Sequence, residues 1–326
     1  DLHLSIRRQR QMCIRDSQSF EAFNAWNESA HGSSGGSPPA YHAVAELCGG
    51  AGDTGSLLIR RGYTKCPSFD IIVGYDLKKE STMRELLRYL AVAKPVVLII
   101  STPCTGMKSF SALNRSINPA AWRRSRKVSV PLAKLAALAA SIQMKEGRHF
   151  IAEHPQGSDM WSLPEWLRLD ERFTVHKVTV HQCMLGLRGP LSKHPIKKPT
   201  TFWASDARLT ARLQGFLCDG RHVHIDLAAT MPGRPHDKAN NAARWPLPMC
   251  RRIAAGCEEV IREHHRRRKD AAKEVKEWKP GRDSARAAVS RLPARCLRAT
   301  VYRLPPRQAR KLSARCWTGT PANTRG

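Results

Sequence analysis

A cysteine and a carboxylic acid follow two apolar segments of the chain. Cys104 comes after Pro103, just beyond the apolar run PVVLIIS (95–101), and Glu153 ends the run HFIAE (149–153). A thiol on an exposed turn becomes a nucleophile when a helix N-terminus or basic groups favour its thiolate. A carboxylate at the end of the second run, Glu153, is expected to face the same crevice as the Cys104 thiol. The sequence leaves open that Cys104 is a buried inert thiol and that Glu153 is only a solvated charge.

A glycine-rich segment, ELCGGAGDTG (46–55), follows the first apolar run and precedes a predicted helix. Glycines let the backbone approach a ligand closely, and a helix N-terminus favours its polar groups. Asp76 ends the β-branched run 69–76, at a position 24 residues after Gly52. A carboxylate there can accept both ribose hydroxyls of an adenosine cofactor. The alternatives are a tight turn for the glycines and a helix-capping role for Asp76.

The segments that carry these residues alternate between strand and helix patterns. This alternation predicts an α/β fold: a Rossmann-like, doubly wound parallel sheet with helices on both faces. Ligands of such sheets bind at the carboxyl ends of the strands. The predicted strands are 41–48, 69–76, 95–101, 149–153 and 173–183. The predicted helices are 80–93, capped by Ser81 or Thr82, and 131–147, with proline at its start.

The order of these motifs resembles that of the cytosine carbon-5 DNA methyltransferases. VHQCMLGLRG (180–189) lies where that family has an arginine motif, and 238–261 is similar to its final motif. The resemblance implies that a Cys104 thiolate, preceded by Pro103, attacks carbon 6 of a flipped cytosine while Glu153 binds the Watson–Crick edge of the base. It also implies that S-adenosylmethionine is the cofactor. The implied cofactor-binding residues are Cys48, Gly49, Gly50, Ala51, Gly52, Asp76 and Asn241.

The chain also departs from the family pattern. Thr102 replaces the first proline of Pro-Pro-Cys, and Met184 and Gly186 stand where arginines are expected. The segment of about 190–237 is a small insert before the last motif, where the family carries a much larger one that reads DNA sequence. The alternative function is therefore a catalytically decayed, nucleic-acid-binding module. KPTTF (198–202) and the pattern Cys-x-Gly-x-His-x-His (218–224) resemble segments of the methyltransferase-like part of dinoflagellate retroelement polyproteins. The resemblance implies that this module would belong to such a polyprotein.

Three candidate metal ligands lie in the insert: Cys218, His222 and His224. His194, His236 or Cys183 is a candidate fourth ligand for zinc. Without a second cysteine pair the pattern favours a polar hairpin over a metal site. No metal is predicted from the sequence.

The formal net charge is +28. Residues 262–326 hold 19 basic and 5 acidic residues, so half of this charge lies in the last 65 residues. The remaining excess of basic residues suits a nucleic-acid partner, most simply DNA. The alternative is that these basic side chains only form a solvent-exposed face of the protein. The candidate phosphate contacts are Arg123, Arg124, Arg126, Lys127, Arg188, Lys197 and Lys198.

We expect three regions in the chain. Residues 1–40 are a leader, similar to translated sequencing-adapter sequence, with a flexible linker; 41–261 are the methyltransferase-like domain; and 262–326 are a basic, largely disordered tail. No apolar run is long enough for a membrane span, and no secretory signal is present. Ten cysteines without paired spacing favour a reducing compartment. The expected location is nuclear or cytoplasmic, not secreted.

Overall fold

The computed structural model describes residues 43–50, 52–107, 115–189, 194–225 and 244–277. Within these ranges six strands form one sheet. The strands are β1 Val44–Leu47, β2 Lys65–Phe69, β3 Val97–Ile100, β4 His149–Pro155, β5 His176–His181 and β6 Pro199–Ala204. Their order across the sheet is β2-β1-β3-β4-β6-β5.

The sheet is mostly parallel, which confirms the predicted α/β class. β1 to β4 run in one direction, whereas β6 is antiparallel to both β4 and β5. The expectation of a wholly parallel sheet was therefore wrong at this edge. β6 was not predicted as a strand, although PTTFWA is rich in the β-branched and aromatic residues that strands favour.

Helices cover both faces of the sheet. Those described are α1 Asp53–Arg60, α2 Glu80–Ala93, α3 Pro119–Lys145, α4 Pro164–Arg172, α5 Ala207–Ala211 and α6 Leu247–Glu277. One hydrophobic core contains side chains of α2, α3 and α4, and the other contains side chains of α1, α5 and α6. All residues of β1 and β3 are buried, as expected for central strands covered on both faces.

The strand order reverses at β1. The chain passes from β1 outward to β2 on one side, and β3 then pairs with the other side of β1. In open α/β sheets such a reversal leaves a crevice beyond the carboxyl ends of the two neighbouring strands. The segments that follow β1 and β3 carry the glycine-rich loop and Cys104, so the topology brings these two motifs to one edge of the sheet.

The second strand lies earlier than predicted. It ends at Phe69, and Ile71–Val73 form a 3₁₀ turn instead of continuing it. The Asp70 carboxylate accepts a hydrogen bond from the N–H of Ile72 (2.9 Å), a local bond that competes with strand pairing. As a result Ile71 and Ile72 are 64% and 52% exposed, and Asp76 lies beyond the strand end rather than at it.

Two helix starts also differ from the predictions. α3 begins at Pro119, where the Asn118 side chain accepts the N–H of Ala121, so Pro131 lies inside the helix and not at its start. A proline within a helix removes one backbone hydrogen bond. This 27-residue helix nevertheless continues on both sides of Pro131. Ser81 and Thr82 lie inside α2, whose N-cap is Lys79.

α6 buries one stripe of its surface. Met249, Ile253, Cys257 and Val260 recur at helical spacing and enter the second core. The helix continues past the predicted domain end at Ile261 as far as Glu277. The chain divides into two compact units, Asp1–Arg266 and Arg267–Gly326, and the described part of the second unit is the end of this helix. None of the described helices is both long and apolar enough to cross a membrane.

Gly256 lies in the interior of α6, where glycine normally costs stability. A Cβ there would lie 2.6 Å from the carbonyl oxygen of Arg208. We expect Gly256→Ala to lower the free energy of unfolding by about 1–3 kcal/mol, because α5 and α6 must separate. Urea unfolding followed by circular dichroism measures this. In an uncrowded helix the same change stabilises by roughly 1 kcal/mol, so a gain in stability would contradict the close packing.

Candidate active site

The glycine-rich loop is built over a buried acid. Glu46 lies on β1 and is 2% exposed. Its Oε1 accepts the N–H of Gly55 (2.9 Å), and its Oε2 accepts the Ser68 hydroxyl (3.1 Å). The Lys65 ammonium lies 3.1 Å from the same Oε2, and its side chain is 3% exposed. This ion pair is buried, so its hydrogen bonds are needed to offset the loss of hydration.

Three glycines of the loop lie so close to the side chains of Glu46 and Lys65 that a Cβ atom would crowd them. A Cβ on Gly49 would lie 2.9 Å from the Cβ of Glu46, and a Cβ on Gly55 would lie 2.6 Å from Cε of Lys65. Gly52 adopts φ +63° with Glu46 Oε2 only 3.0 Å from its Cβ position. By contrast, no atom lies within 4 Å of the Cβ position of Gly50 among the residues described. The loop is therefore closed beneath and open at Gly50, the arrangement that a backbone cradle for a ligand needs.

Asp70 ties the second strand to this loop. Its Oδ2 accepts the N–H of Gly50 (2.9 Å), and its side chain is largely buried. Sequence reasoning assigned the acid at the end of this strand to Asp76, and the structure has Asp70 at that place instead. The usable signal was the turn chemistry of an aspartate followed by two residues that do not continue the strand.

Asp76 lies between the 3₁₀ turn and α2. Its Oδ1 accepts the N–H of Lys78 (3.1 Å), and its Oδ2 lies 3.8 Å from the Lys78 ammonium. Both contacts are local, and the side chain is 26% exposed. Asp76 thus has room for a ligand, while the carboxylate of Asp70 is already bonded to backbone N–H groups.

Cys48 lies at the start of the loop in a left-handed conformation, with φ +55°. Burial, together with the nearby Asp70 carboxylate, raises the pKa of its thiol to about 12. The thiol is therefore protonated at neutral pH, and Cys48 is unsuited to act as a nucleophile.

Three hydrogen bonds hold the turn that carries Cys104 and the residue that leads into it. The N–H of Ser101 donates to the carbonyl oxygen of Leu47 (3.0 Å), next to the glycine-rich loop. The Ser101 hydroxyl donates to Oε2 of Glu153 (3.1 Å). The carbonyl of Cys104 accepts the N–H of Met107 and closes the turn. Ser101 thus connects the glycine-rich loop, the Cys104 turn and Glu153, and sequence reasoning missed this role.

Glu153 is 4% exposed on β4. Its Oε2 is bonded to Ser101, but its Oε1 is buried without a hydrogen-bond partner among the described residues. The Lys198 ammonium lies 3.9 Å from Oε1, which is an ion-pair distance but too long for a hydrogen bond. Glu153 therefore presents one carboxylate oxygen that can still accept a hydrogen bond.

The predicted phosphate contacts divide into two groups. Arg123, Arg124 and Lys127 are exposed on α3. Arg126 instead donates to the carbonyl of Gly106 (3.2 Å) and pairs with Asp159 (2.5 Å), so it holds the Cys104 turn. This use of its guanidinium argues against the phosphate role predicted for Arg126.

The second group lies beyond β5. Arg188 and Lys197 are exposed, and Lys198 is the partner of Glu153. Met184 and Gly186 lie in and after a 3₁₀ turn, Gln182–Leu185, that follows β5. Gln182 is buried there; its N–H donates to the carbonyl of Lys198 (3.1 Å). The buried glutamine thus sets the position of the backbone that carries Lys198.

Two predicted cofactor residues, Ala51 and Asn241, lie outside the described residues. The nearest described residue after Asn241 is Arg244. Its guanidinium makes two hydrogen bonds, of 2.6 and 2.7 Å, to the carboxylate of Asp53 at the start of α1. Arg244, three residues before α6, is therefore attached next to the glycine-rich loop, and the sequence gave no indication of this pair.

The three candidate metal ligands come together with Cys183. The ligand atoms of Cys183, Cys218, His222 and His224 all lie within 4.8 Å of one another. Two other residues were candidates for the fourth ligand. His194 lines a pocket next to Cys183 and His222, and His236 lies outside the described residues.

A scan against models of known protein families finds no match, and a search of curated proteins finds none either.

The buried pair beneath the loop yields a testable prediction. Lys65→Met leaves Glu46 as an uncompensated buried charge, so we expect the free energy of unfolding at pH 7 to fall by about 3–5 kcal/mol. Chemical denaturation measures this loss.

The matched control is the double variant Glu46→Gln/Lys65→Met, which removes both charges. It should recover most of the loss. Equal destabilisation of the single and double variants would contradict a buried ion pair as the support of the loop.

Proposed function

We propose that this chain is an S-adenosylmethionine-dependent cytosine carbon-5 methyltransferase that acts on DNA through the Cys104 thiol. The observation that carries the proposal is the position of Ser101, which is bonded to both the end of β1 and Glu153. It supports one site composed of a ligand loop, a thiol and a carboxylate. Each of these groups has a separate task in the proposed reaction.

The cofactor would bind at the glycine-rich loop and supply the methyl group. The open side of Gly50 and the exposed Ile71 and Ile72 offer a backbone cradle beside an apolar surface that a nucleobase can cover. Asp76 follows this surface in the chain, has contacts only with Lys78 among those described, and suits ribose hydroxyls. The residues at this end of the sheet therefore fit an adenosine-containing cofactor.

Cys104 and Glu153 would activate the cytosine. The Cys104 thiolate would add to carbon 6, and the electron pair of the 5,6 double bond would form the new bond between carbon 5 and the methyl carbon, while the methyl–sulfur bond breaks and leaves its electrons on the cofactor's sulfur. A solvent water would then take the carbon 5 proton, and the electrons of that carbon–hydrogen bond would restore the double bond as the Cys104 thiolate leaves. The Glu153 Oε1, which lacks a hydrogen-bond partner among the described residues, suits the amino group on the Watson–Crick edge of cytosine.

The base must leave the helix stack to reach these groups. Arg123, Arg124 and Lys127 are exposed on the same helix as Arg126, which contacts the turn two residues after Cys104. Their positive charges suit phosphates on either side of an extruded nucleotide. Such contacts position the strand without reading its sequence.

The second candidate is a catalytically decayed nucleic-acid-binding module of a retroelement polyprotein. The observation in its favour is the arginine motif, where Gln182 is buried and Met184 stands 37% exposed in place of an arginine. A decayed module would keep the basic surface and lose turnover.

DNA carrying 5-fluorocytosine distinguishes the two functions. The fluorine cannot leave as a proton does, so an active enzyme remains covalently bound to the base. With this DNA and S-adenosylmethionine we expect an adduct stable to denaturing gel electrophoresis. Cys104→Ser should abolish it, and Glu153→Gln should slow its formation by roughly 10²–10⁴-fold.

Cys316→Ser is the matched control, because Cys316 lies in the C-terminal region 262–326, outside the motifs of the proposed site. It should form the adduct normally. An adduct that persists in Cys104→Ser would exclude this nucleophile, whereas DNA binding without any adduct would favour the decayed module.

The two acids near the loop yield a second prediction. Asp76→Ala should weaken S-adenosylmethionine binding by about 10–100-fold in calorimetry, because a charged hydrogen-bond acceptor is lost. Its thermal unfolding should change little, since its contacts are local. Asp70→Ala should instead lower stability by about 1–3 kcal/mol, since two backbone N–H groups lose their acceptor. Wild-type affinity in Asp76→Ala would refute the role given to Asp76.

A further inference from the structure

A cluster of two thiols and two imidazoles lies at the edge of the sheet, outside the proposed active site. Cys183 belongs to the 3₁₀ turn after β5, whereas Cys218, His222 and His224 belong to the segment after α5. The Cys218 sulfur lies 3.6 Å from Nε2 of His222 and 3.4 Å from Nε2 of His224. All four potential ligand atoms lie within 4.8 Å of one another.

The two distances at Cys218 match those of a tetrahedral metal site. Zinc binds cysteine sulfur at about 2.3 Å and histidine nitrogen at about 2.0–2.1 Å, which places sulfur and nitrogen ligands roughly 3.5–3.6 Å apart in a tetrahedron. The two sulfur–nitrogen distances at Cys218 agree with this value. Two thiolates and two imidazoles in tetrahedral order are a ligand set that favours zinc.

The segment around Cys218 has little apolar support of its own. Leu217 and Val223 are 56% and 80% exposed. Its order comes from polar contacts: the N–H of Cys218 donates to Nδ1 of His181 (2.9 Å), and the N–H of Gly220 donates to the Cys218 sulfur (3.4 Å). A backbone N–H directed at a cysteine sulfur stabilises a thiolate, the form that binds a metal.

We propose that Cys183, Cys218, His222 and His224 bind one structural zinc ion. Binding releases the two thiol protons, so the site with its ion carries no net charge. Four protein ligands fill the tetrahedron, as they do in structural rather than catalytic zinc sites. An open pocket of about 560 Å³, lined in part by Cys183 and His222, gives the ion a route from solvent.

The zinc ion would fasten the segment that follows α5 to the turn that follows β5. Cys183 directly follows Gln182, whose N–H is bonded to the carbonyl of Lys198 and whose Nε2 donates to the hydroxyl of Thr200 (2.8 Å). Lys198 in turn lies beside Glu153. The metal would thus take over the role of a hydrophobic core in the segment around Cys218 and fix the strand end that faces Glu153.

The first experiment measures metal in the full chain. Protein purified from zinc-supplemented cells should contain about one zinc ion per chain by mass spectrometry of the metal, as a single four-ligand site requires. Cys218→Ser and His224→Asn should each lower this content at least tenfold. His194→Asn is the matched control, because His194 lines the same pocket without belonging to the cluster. It should keep the zinc.

Some ligand variants will fail to fold, so a second measurement uses the wild-type chain. After removal of zinc with a chelator, added Co²⁺ should give the visible bands of a tetrahedral site and a thiolate-to-cobalt charge-transfer band. Added Zn²⁺ should abolish both. Cys104→Ser should behave like the wild type, since the zinc site is independent of the proposed methylation.

Two results would overturn the proposal. One is a wild-type chain that binds neither Zn²⁺ nor Co²⁺ after removal and readdition. The other is a zinc content that is equal in the wild type and in folded Cys218→Ser, because the ion would then lie elsewhere.

Discussion

The buried ion pair between Glu46 and Lys65 is the constraint on which the candidate site depends. It places a carboxylate beneath the glycine-rich loop, where it accepts the N–H of Gly55 in the first turns of α1. Gly49, Gly52 and Gly55 lie too close to this pair to carry side chains. The shape of the loop, and with it any ligand cradle, therefore follows from two charges that must be solvated by the protein itself.

The remaining parts of the site are held by hydrogen bonds of both backbone and side-chain groups. Ser101 links the end of β1 to Glu153, and Arg126 holds the turn that carries Cys104. These contacts leave one oxygen of Glu153 without a hydrogen-bond donor in the described part of the chain. Such an atom costs free energy in a buried place, which is a reason to expect that a ligand satisfies it.

The edge of the sheet beyond β4 has a different organisation. β6 is reversed, and the segments that follow β5 and α5 are joined by polar contacts around Cys183 and Cys218. If the proposed zinc ion is bound there, the segment around Cys218 needs no apolar core of its own. Its ligand Cys183 follows Gln182, which is bonded to the carbonyl of Lys198, and Lys198 lies next to Glu153, so the proposed zinc site and the proposed active site would be coupled.

The amino-acid sequence by itself determined the alternation of strands and helices, the α/β class and the position of the main motifs, because these follow from apolar periodicity and from glycine. It did not determine the partners of individual side chains. The reversed direction of β6, the hydrogen bonds of Ser101 and the meeting of Cys183 with Cys218 were decided by the tertiary structure. They depend on contacts between residues far apart in the chain, and local propensity contains no information about such contacts.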